Sequence, residues 1–373
     1  MLQRNKCVIC AKTEFVDIYK TEQYPLLFTP LAQDNEHEFM DLYFIGCLHC
    51  GCVQLKELAD PKKLYEDAYN VVFNYPTLIK HYDLFSDFIK NNIILDNEIF
   101  EIGGSNGALA RVIKSKIETK YTILDLCDRN PNIEDVEFIQ GNCEEIDCPD
   151  NTTIVMSHVF EHLYEPDKMV ETFAKKNIRQ VFISNPDMIE LMRQNDLSVI
   201  NFEHTYFCDT VYLDHLFNKH GYFRKDTYSF EGHSIFYNYV HLSSQMTNIV
   251  IESTKITKNV YLLDEVKTYL TNRENVITEL KFENDVFICP AGNYGQMIYH
   301  FLNPDNKKRI LGFLDGDTFK IDKKVYGTNI HTFKKDKVCE YENLDVVLCV
   351  EKFRDEIKRE ISALNSNVTF IDI

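Results

Sequence analysis

Short apolar runs, each ending in a polar or glycine-rich turn, pattern the middle of the chain. Ile99 and Phe100 lead into Glu101-Ile102-Gly103-Gly104-Ser105-Asn106-Gly107, and a helix-like stretch follows. Tyr121-Thr122-Ile123-Leu124-Asp125 reads as the next strand. Val136, Phe138 and Ile139 mark a third, and Thr153-Ile154-Val155-Met156 a fourth. This alternation of strand, turn and helix predicts a parallel α/β sheet. Residues 211–220 are helix-like, and residues 235–240 alternate Ile235, Tyr237, Tyr239 with Phe236, Asn238, Val240, as the two faces of a strand do.

The pattern repeats in the last third. A polar stretch with Leu262, Leu263, Val266, Tyr269 and Leu270 at helical spacing precedes Val286-Phe287-Ile288-Cys289 and the turn Pro290-Ala291-Gly292-Asn293-Tyr294-Gly295. Strands follow at residues 310–315 and 344–350, and Phe370-Ile371 closes the series. A second, smaller parallel α/β unit is expected here. Its turn at Gly292 to Gly295 and Asp315 could receive part of a nucleotide, or the unit could only pack.

An acid followed by closely spaced glycines at a strand-to-helix turn is how an α/β sheet accepts a nucleotide-like ligand. Glycine lets the backbone approach the ligand, and the helix behind it offers free N–H groups. Asp125 ends the next strand, where a carboxylate can bind both hydroxyls of a ribose. Gly141-Asn142-Cys143 follows the third strand, and Ser157-His158-Val159-Phe160-Glu161-His162-Leu163 follows the fourth. A dinucleotide site is the rival reading. It would need G-x-G-x-x-G, whereas this loop reads G-G-S-N-G, and it leaves the Ser157 to Leu163 segment without a role.

The cysteines change the picture at the N-terminus. Cys7-x-x-Cys10 and Cys47-x-x-Cys50 form two C-x-x-C knuckles, with Gly51 just after the second. Two knuckles make a closed four-thiolate site of the kind zinc prefers, with a structural role because no position is left for water. Strand-like pieces at 15–19 and 42–45 would form the intervening ribbon. His49 and Cys52 are alternate ligands that suit the turns less well. The other cysteines read as small core side chains.

Composition narrows the function. The 373 residues call for two or three domains. A net charge of −18 argues against binding nucleic acid through its phosphates. No apolar run is long enough to cross a membrane, and Met1-Leu2-Gln3-Arg4-Asn5-Lys6 lacks the apolar core of a signal peptide, so a cytoplasmic protein is expected.

The order of glycine loop, ribose acid, polar adenine contact and S-H-V-F-E-H-L resembles the class I S-adenosylmethionine (SAM) methyltransferases over about Asp83 to Val240. The resemblance implies that Gly103, Gly104 and Gly107 allow close approach of SAM, Asp125 binds its ribose and Asn142 its adenine. Glu101, Ser105, Asn106, Cys143, Ser157 and His158 complete the cofactor-binding set. Ser105 departs from the commonest loop, which has glycine there.

The knuckle pair closing in C-L-H-C-G-C-V-Q-L, then L-Y-E-D-A-Y, then the SAM domain is similar to the sugar C-methyltransferases. Those enzymes methylate a ring carbon of nucleotide-diphosphate keto-deoxysugars. The resemblance runs essentially end to end. It implies an α/β protein with a class I methyltransferase Rossmann-like core, an N-terminal zinc-binding module and a small C-terminal Rossmann-like domain. The expected bounds are 1–62 for the zinc module with Cys7, Cys10, Cys47 and Cys50, 63–246 for the SAM domain, 247–280 for a connecting helix, and 281–373 for the last domain. SAM and structural zinc are the implied cofactors, and a nucleotide-linked sugar the implied small-molecule partner.

Methylation next to a ketone needs a base to form an enolate and a donor to stabilise its oxygen. Asn201-Phe202-Glu203-His204-Thr205-Tyr206-Phe207 matches the family's E-H-x-x-(Y/F) segment, slightly shortened, which makes His204 the expected base and Tyr206 a nearby donor. In Phe230-Glu231-Gly232-His233-Ser234, Glu231 stands where the family has histidine and His233 replaces a glycine. Both are kept as polar support, and the swap leaves substrate and reaction position open. The family also uses a tyrosine from the region before the SAM domain; Tyr69 and Tyr75 are the candidates, beside Tyr65. Methylation of oxygen or nitrogen on a sugar or other small molecule is the alternative, and a catalytically silent binding protein a further one.

Overall fold

The computed structural model of the chain describes residues 2–26, 38–65, 76–94, 98–128, 130–230, 232–244, 260–318, 320–325, 330–350 and 354–373. Three expected site residues, Tyr69, Tyr75 and Glu231, lie outside the described residues. The chain divides into two units. One comprises Met1–Ile18, Tyr43–Gln194 and Phe202–Val266, the other Tyr19–Leu42, Asn195–Asn201 and Lys267–Ile373. No helix among the described residues is long and apolar enough to cross a membrane.

Among its described residues the first unit carries a seven-stranded sheet. Its strands are β1 (Ile99–Ile102), β2 (Tyr121–Asp125), β3 (Val136–Gln140), β4 (Thr153–Ser157), β5 (Gln180–Pro186), β6 (Tyr222–Phe230) and β7 (Ser234–His241). The order across the sheet is β3-β2-β1-β4-β5-β7-β6. All neighbours are parallel except β7, which is antiparallel to both β5 and β6. The order reverses between β1 and β4, which opens a crevice at the carboxyl ends of these strands. The Gly103 turn leaves β1 at that edge, and Ser157 ends β4 there.

Helices α1 (Pro76–Asn92), α2 (Ala108–Lys116), α3 (Pro166–Lys175) and α4 (Thr210–Lys219) accompany the sheet. Proline at the first position of α1 suits a helix start, because its missing N–H would have no partner there. Four-residue spacing puts His81, Phe85 and Ile89 on one buried face of α1. Phe85 and Ile89 join Ile99, Ile113, Ile123, Val155 and Phe182 in one core cluster. Burying each such side chain contributes about 1.5–3 kcal/mol, so this face fixes α1 against the sheet. His81 therefore sits in a core position.

The two expected strand-like pieces lie in strands Phe15–Pro25 and Phe39–Cys47. Within the first unit, Phe44 to Gly46 pair antiparallel with Val53 to Leu55, and Leu2-Gln3 pair with Glu57-Leu58.

The second unit holds β8 (Val286–Cys289), β9 (Ile310–Asp315), β10 (Ile330–Lys334), β11 (Leu344–Leu348) and β12 (Val368–Asp372), with α5 (Asn293–Phe301) after β8 and α6 (Arg354–Leu364) before β12. Its parallel order is β10-β9-β8-β11-β12, and Lys324–Val325 adds an antiparallel edge to β10. Phe287, Leu314, Val346, Leu348 and Ile361 form its core. The sequence pattern shows four of these strands and misses β10, which is short and has polar Thr332 and Lys334 in it.

Candidate active site

The turn after β1 is built for a close ligand. Gly103 has φ +75°, and a Cβ there would stand 2.3 Å from Val159 Cγ2, so only glycine fits both the left-handed backbone and the space. Ser105 is left-handed as well, at φ 46°. Asn106 Oδ1 accepts from Ala108 N at 3.2 Å and so covers the start of α2. The guanidinium of Arg111 donates to the carbonyls of Asn106 (2.8 Å) and Pro131 (3.2 Å) and ties the turn to the loop after β2.

Asp125 faces this turn. Its Oδ2 accepts from Ser105 N at 2.7 Å and its Oδ1 from Cys127 N at 2.9 Å. The carboxylate is thus fixed in orientation beside the glycines. Glu101 lies under the turn: it is buried, its Oε2 accepts from Tyr121 O–H at 2.9 Å, and burial lifts its carboxyl to about 7. Its place is that of a support for Gly104. A Cβ on Gly104 would stand 2.9 Å from the Glu101 carboxyl carbon. Asn142 organises its own loop, with Oδ1 accepting from Glu144 N at 3.0 Å. Cys143 follows it, its thiol pushed up to about 12 by burial.

Two groups of side chains meet at the carboxyl end of β4. In the first, His81 Nε2 and Ser157 Oγ are 3.0 Å apart, His158 Nε2 and Ser234 Oγ 3.0 Å, and Ser234 Oγ and His81 Nδ1 3.2 Å; His233 Nδ1 also bonds Ser234 Oγ. Burial, with His233 close by, pushes His81 down to about 3, and burial among histidines pushes His158 well below its usual range. In the second group Glu161, His162 and His204 offer donor atoms within 4.8 Å of one another. Tyr65 O–H and His162 Nδ1 are 2.8 Å apart, and His162 Nε2 is 3.6 Å from Glu161 Oε1. Neither Glu161 oxygen has a hydrogen-bond partner among the described residues, and burial lifts this carboxyl to about 8. At neutral pH Glu161 is largely a neutral acid that can donate a hydrogen bond.

The backbone next to His204 is held on three sides. Arg4, nine-tenths buried, donates to the carbonyls of Leu163 (3.2 Å), Tyr164 (3.1 Å) and Thr205 and to Thr205 Oγ1 (3.0 Å). Thr205 N donates to the Glu161 carbonyl at 3.1 Å, and Leu55 N to the Thr205 carbonyl at 3.0 Å. Tyr206 turns the other way. It is fully buried and its O–H donates to the Phe160 carbonyl at 3.0 Å, so the donor role expected of it has no support in the geometry. His81 and Arg4 are the site residues that pattern reading did not name for the site; Glu161 and Ser234 lay in segments quoted without a role of their own, and Tyr65 was named beside the two tyrosine candidates. The i, i+4 spacing of His81, Phe85 and Ile89 after Pro76 was the available signal for one of them.

The four knuckle cysteines come together as their spacing requires. Cys7 Sγ and Cys50 Sγ are 3.5 Å apart and Cys10 Sγ and Cys47 Sγ 3.6 Å, all four sulfurs within 4.8 Å. Four zinc–thiolate bonds of about 2.3 Å at tetrahedral angles put sulfurs about 3.8 Å apart, so the set fits one tetrahedral ion. The two knuckles share one geometry: Ala11 N donates to the Cys7 carbonyl and Gly51 N to the Cys47 carbonyl, each at 2.9 Å, and both Ala11 and Gly51 have positive φ.

The second unit repeats the acid-and-turn arrangement. Asp315 Oδ2 accepts from Ala291 N at 3.0 Å and Oδ1 from Asp317 N at 2.9 Å, matching Asp125 with Ser105 and Cys127. Lys320 Nζ lies 3.2 Å from Asp315.

The family model described as methyltransferase domain matches residues 78–223. These residues are a methyltransferase domain. With the sheet order above, they give the first unit a class I, Rossmann-like methyltransferase fold and support a methyl-transferring enzyme. No curated protein matches the chain. Among solved structures, the chain is similar to the magnesium protoporphyrin IX methyltransferase of Synechocystis PCC 6803 solved with SAH (12% identity, TM-score 0.36, 44% of this chain and 83% of that one). It is also similar to a SAM-dependent methyltransferase of Aquifex aeolicus (15%, 0.34, 44% and 97%) and a protein of Pyrococcus horikoshii OT3 (10%, 0.37, 49% and 96%). Likeness at this level carries no argument about substrate.

Proposed function

We propose that the methyltransferase methylates a nucleotide-linked sugar at a carbon next to a keto group, with SAM as methyl donor. The observation that carries this reading is the pairing of His204 with Glu161 and His162 beside the SAM turn. A base and a neutral acid within one cluster are what enolate formation needs. SAM, when bound, supplies an electrophilic methyl group. Gly103, Gly104 and Gly107 give it room, Asp125 binds its ribose hydroxyls, and Asn142 with Cys143 borders its adenine. The fit is supported by the Asp125 carboxylate, held beside the glycine turn by Ser105 N and Cys127 N.

In this reading His204 takes the proton from the substrate carbon. Glu161 or Tyr65, acting through His162, donates to the developing enolate oxygen. His158 and His233 border the pocket from the β4 edge, and Glu231, Tyr69 and Tyr75 remain candidates from the sequence. Cys7, Cys10, Cys47 and Cys50 hold a structural zinc that fixes the 53–55 strand against the Thr205 segment. A small-molecule substrate, and not a nucleic acid, is consistent with the acidic chain. Methylation at oxygen remains the competing reading, since His204 could equally take a hydroxyl proton.

The test is mass spectrometry of keto and hydroxy nucleotide sugars incubated with the protein and methyl-labelled SAM. Label only in a keto sugar, abolished by His204→Ala, is expected. Label in a hydroxy sugar instead would overturn carbon methylation.

A further inference from the structure

We propose that His81, His158 and His233, with the hydroxyl of Ser234, form a binding site for a divalent first-row transition-metal ion, separate from the four cysteines. The proposal does not depend on which substrate is methylated.

Three elements bring the imidazoles together. His81 comes from the core face of α1, His158 follows β4, and His233 sits in the tight turn between β6 and β7. That turn is made by Gly232, which is left-handed at φ +65°. His158 is itself left-handed, at φ 54°. A non-glycine residue in this region costs about 1–2 kcal/mol, and such strain persists where the surroundings hold a side chain in place. Here the backbone N–H of His158 donates to the Ser184 carbonyl at 2.8 Å, which aims the ring at Ser234.

The donor atoms have metal-site spacing. The three imidazoles offer nitrogens within 4.8 Å of one another. Ser234 Oγ lies 3.0 Å from His158 Nε2 and 3.2 Å from His81 Nδ1, and bonds His233 Nδ1. Metal–nitrogen bonds of about 2.1 Å at tetrahedral angles put neighbouring donors about 3.4 Å apart. The hydroxyl stands close to that spacing from His158 and His81, and the His233 ring would swing away from it to share an ion.

An outer shell is present too. His81 Nε2 faces Ser157 Oγ at 3.0 Å. With its Nε2–H donated there, His81 turns the Nδ1 lone pair into the cluster, as a metal-bound histidine does when its second nitrogen is anchored. Without an ion, Ser234 can satisfy the three rings in a single pattern: it donates to His81 and accepts N–H from His158 and His233. Binding an ion also needs these two rings to move their proton to the other nitrogen.

The donor set selects the ion. Three neutral imidazoles and a hydroxyl suit zinc, cobalt, nickel or ferrous iron over magnesium or calcium, which prefer carboxylate and water. No carboxylate or thiolate belongs to this cluster among the described residues. An ion held by neutral donors would accept an anionic or carbonyl oxygen as a further ligand.

The test is a cobalt titration of the full chain followed by absorption. Cobalt at four thiolates gives intense sulfur-to-metal charge-transfer bands, whereas cobalt at imidazoles adds only weak visible bands. The wild-type chain is expected to take up one further ion after the thiolate bands saturate. His233→Ala and His81→Asn should each lose that ion and keep the thiolate bands, which also report that the protein has folded. His233 is in a partly exposed turn, so its variant carries the test if the core variant loses the thiolate bands. Saturation of the wild type with the thiolate ion alone overturns the proposal, and so does retention of the further ion by His233→Ala.

Discussion

Arg4 and Thr205 are joined by two hydrogen bonds from one guanidinium, to the Thr205 carbonyl and, at 3.0 Å, to its hydroxyl. Arg4 is the fourth residue of the chain, and Thr205 follows the expected base. The same guanidinium reaches the carbonyls of Leu163 and Tyr164, which follow His162. One buried cation thus holds both halves of the Glu161–His162–His204 group. Its burial lowers its own pKa, so four oxygen acceptors are needed to keep it charged in place.

Arg4→Ala removes a donor from each of these acceptors. The Thr205 carbonyl keeps Leu55 N and the Leu163 carbonyl keeps the Thr205 hydroxyl, whereas the Tyr164 carbonyl loses the guanidinium. An acceptor left unpaired costs about 1–3 kcal/mol, and a loss of about that size is expected in denaturant unfolding. His204 would also lose its alignment, and a displacement of about 1 Å at a reacting group can cost about 100-fold in rate. SAM binding should be unchanged, since Arg4 makes no contact with the glycine turn. A variant that lost SAM affinity and kept its turnover would contradict this division of roles.

These contacts show what a sequence can reveal. The Gly103 turn, Asp125 and both knuckles were legible because each is a local pattern in which one backbone shape demands one residue type. Asp125 bonding Ser105 N, and Cys7 meeting Cys50, followed from that. The histidine group around Ser234 was not legible, because it is assembled from α1, the end of β4 and a hairpin turn. Arg4 gave no local signal either. Tyr206 illustrates a subtler limit. In an extended segment neighbours face opposite ways, and the pattern E-H-x-Y could not tell which way Tyr206 turned; it faces the core.

Stability should pass through a maximum in pH. His81, His158 and His162 are held below the usual 6.5 by burial. Below that value the unfolded chain binds protons that the folded chain refuses, so stability rises with pH up to about 6.5. Glu101 and Glu161 act in the opposite sense. Their folded values of about 7 and about 8 lie above the ordinary 4.5, so the folded chain keeps protons that the unfolded chain has released. Stability then falls as pH rises through 7 and 8, by about 1.4 kcal/mol per pH unit for each carboxyl still protonated. Glu161→Gln mimics the neutral acid and should flatten the decline between pH 7 and 8 and steepen the rise between about 4.5 and 6.5, where Glu161 opposes the histidines. Thermal unfolding across pH 5 to 9 measures this; an unaltered decline in the variant would mean Glu161 is ionised in the folded chain.

Removing the ion we assign to the four cysteines should reach the active site. Leu55 N donates to the Thr205 carbonyl and Phe207 N to the Val53 carbonyl, so the strand after the second knuckle pairs directly with the segment that carries His204. A strong chelator, or Cys10→Ser, is expected to lower thermal stability and to reduce methyl transfer, because the binding energy of a structural zinc is also folding energy. Restoring zinc should restore both. Full methyl transfer by protein shown to be free of metal would uncouple the module from the site.

Gly103 gives the sharpest test of the cofactor turn. Two separate constraints act there: a Cβ would meet Val159 Cγ2 at 2.3 Å, and φ is +75°. The backbone constraint alone costs a substituted residue about 1–2 kcal/mol, or about 5–30-fold in an equilibrium. Gly103→Ala should therefore weaken SAM binding by at least this factor in calorimetry, with the clash adding to it. Gly103→Ala combined with Val159→Ala removes the clash and keeps the backbone strain, so it should recover only part of the affinity. Full recovery would show that the turn needs space and not a left-handed residue. Undiminished SAM affinity in Gly103→Ala itself would mean that SAM does not approach this turn, and the assignment of Asp125 to its ribose would fall with it.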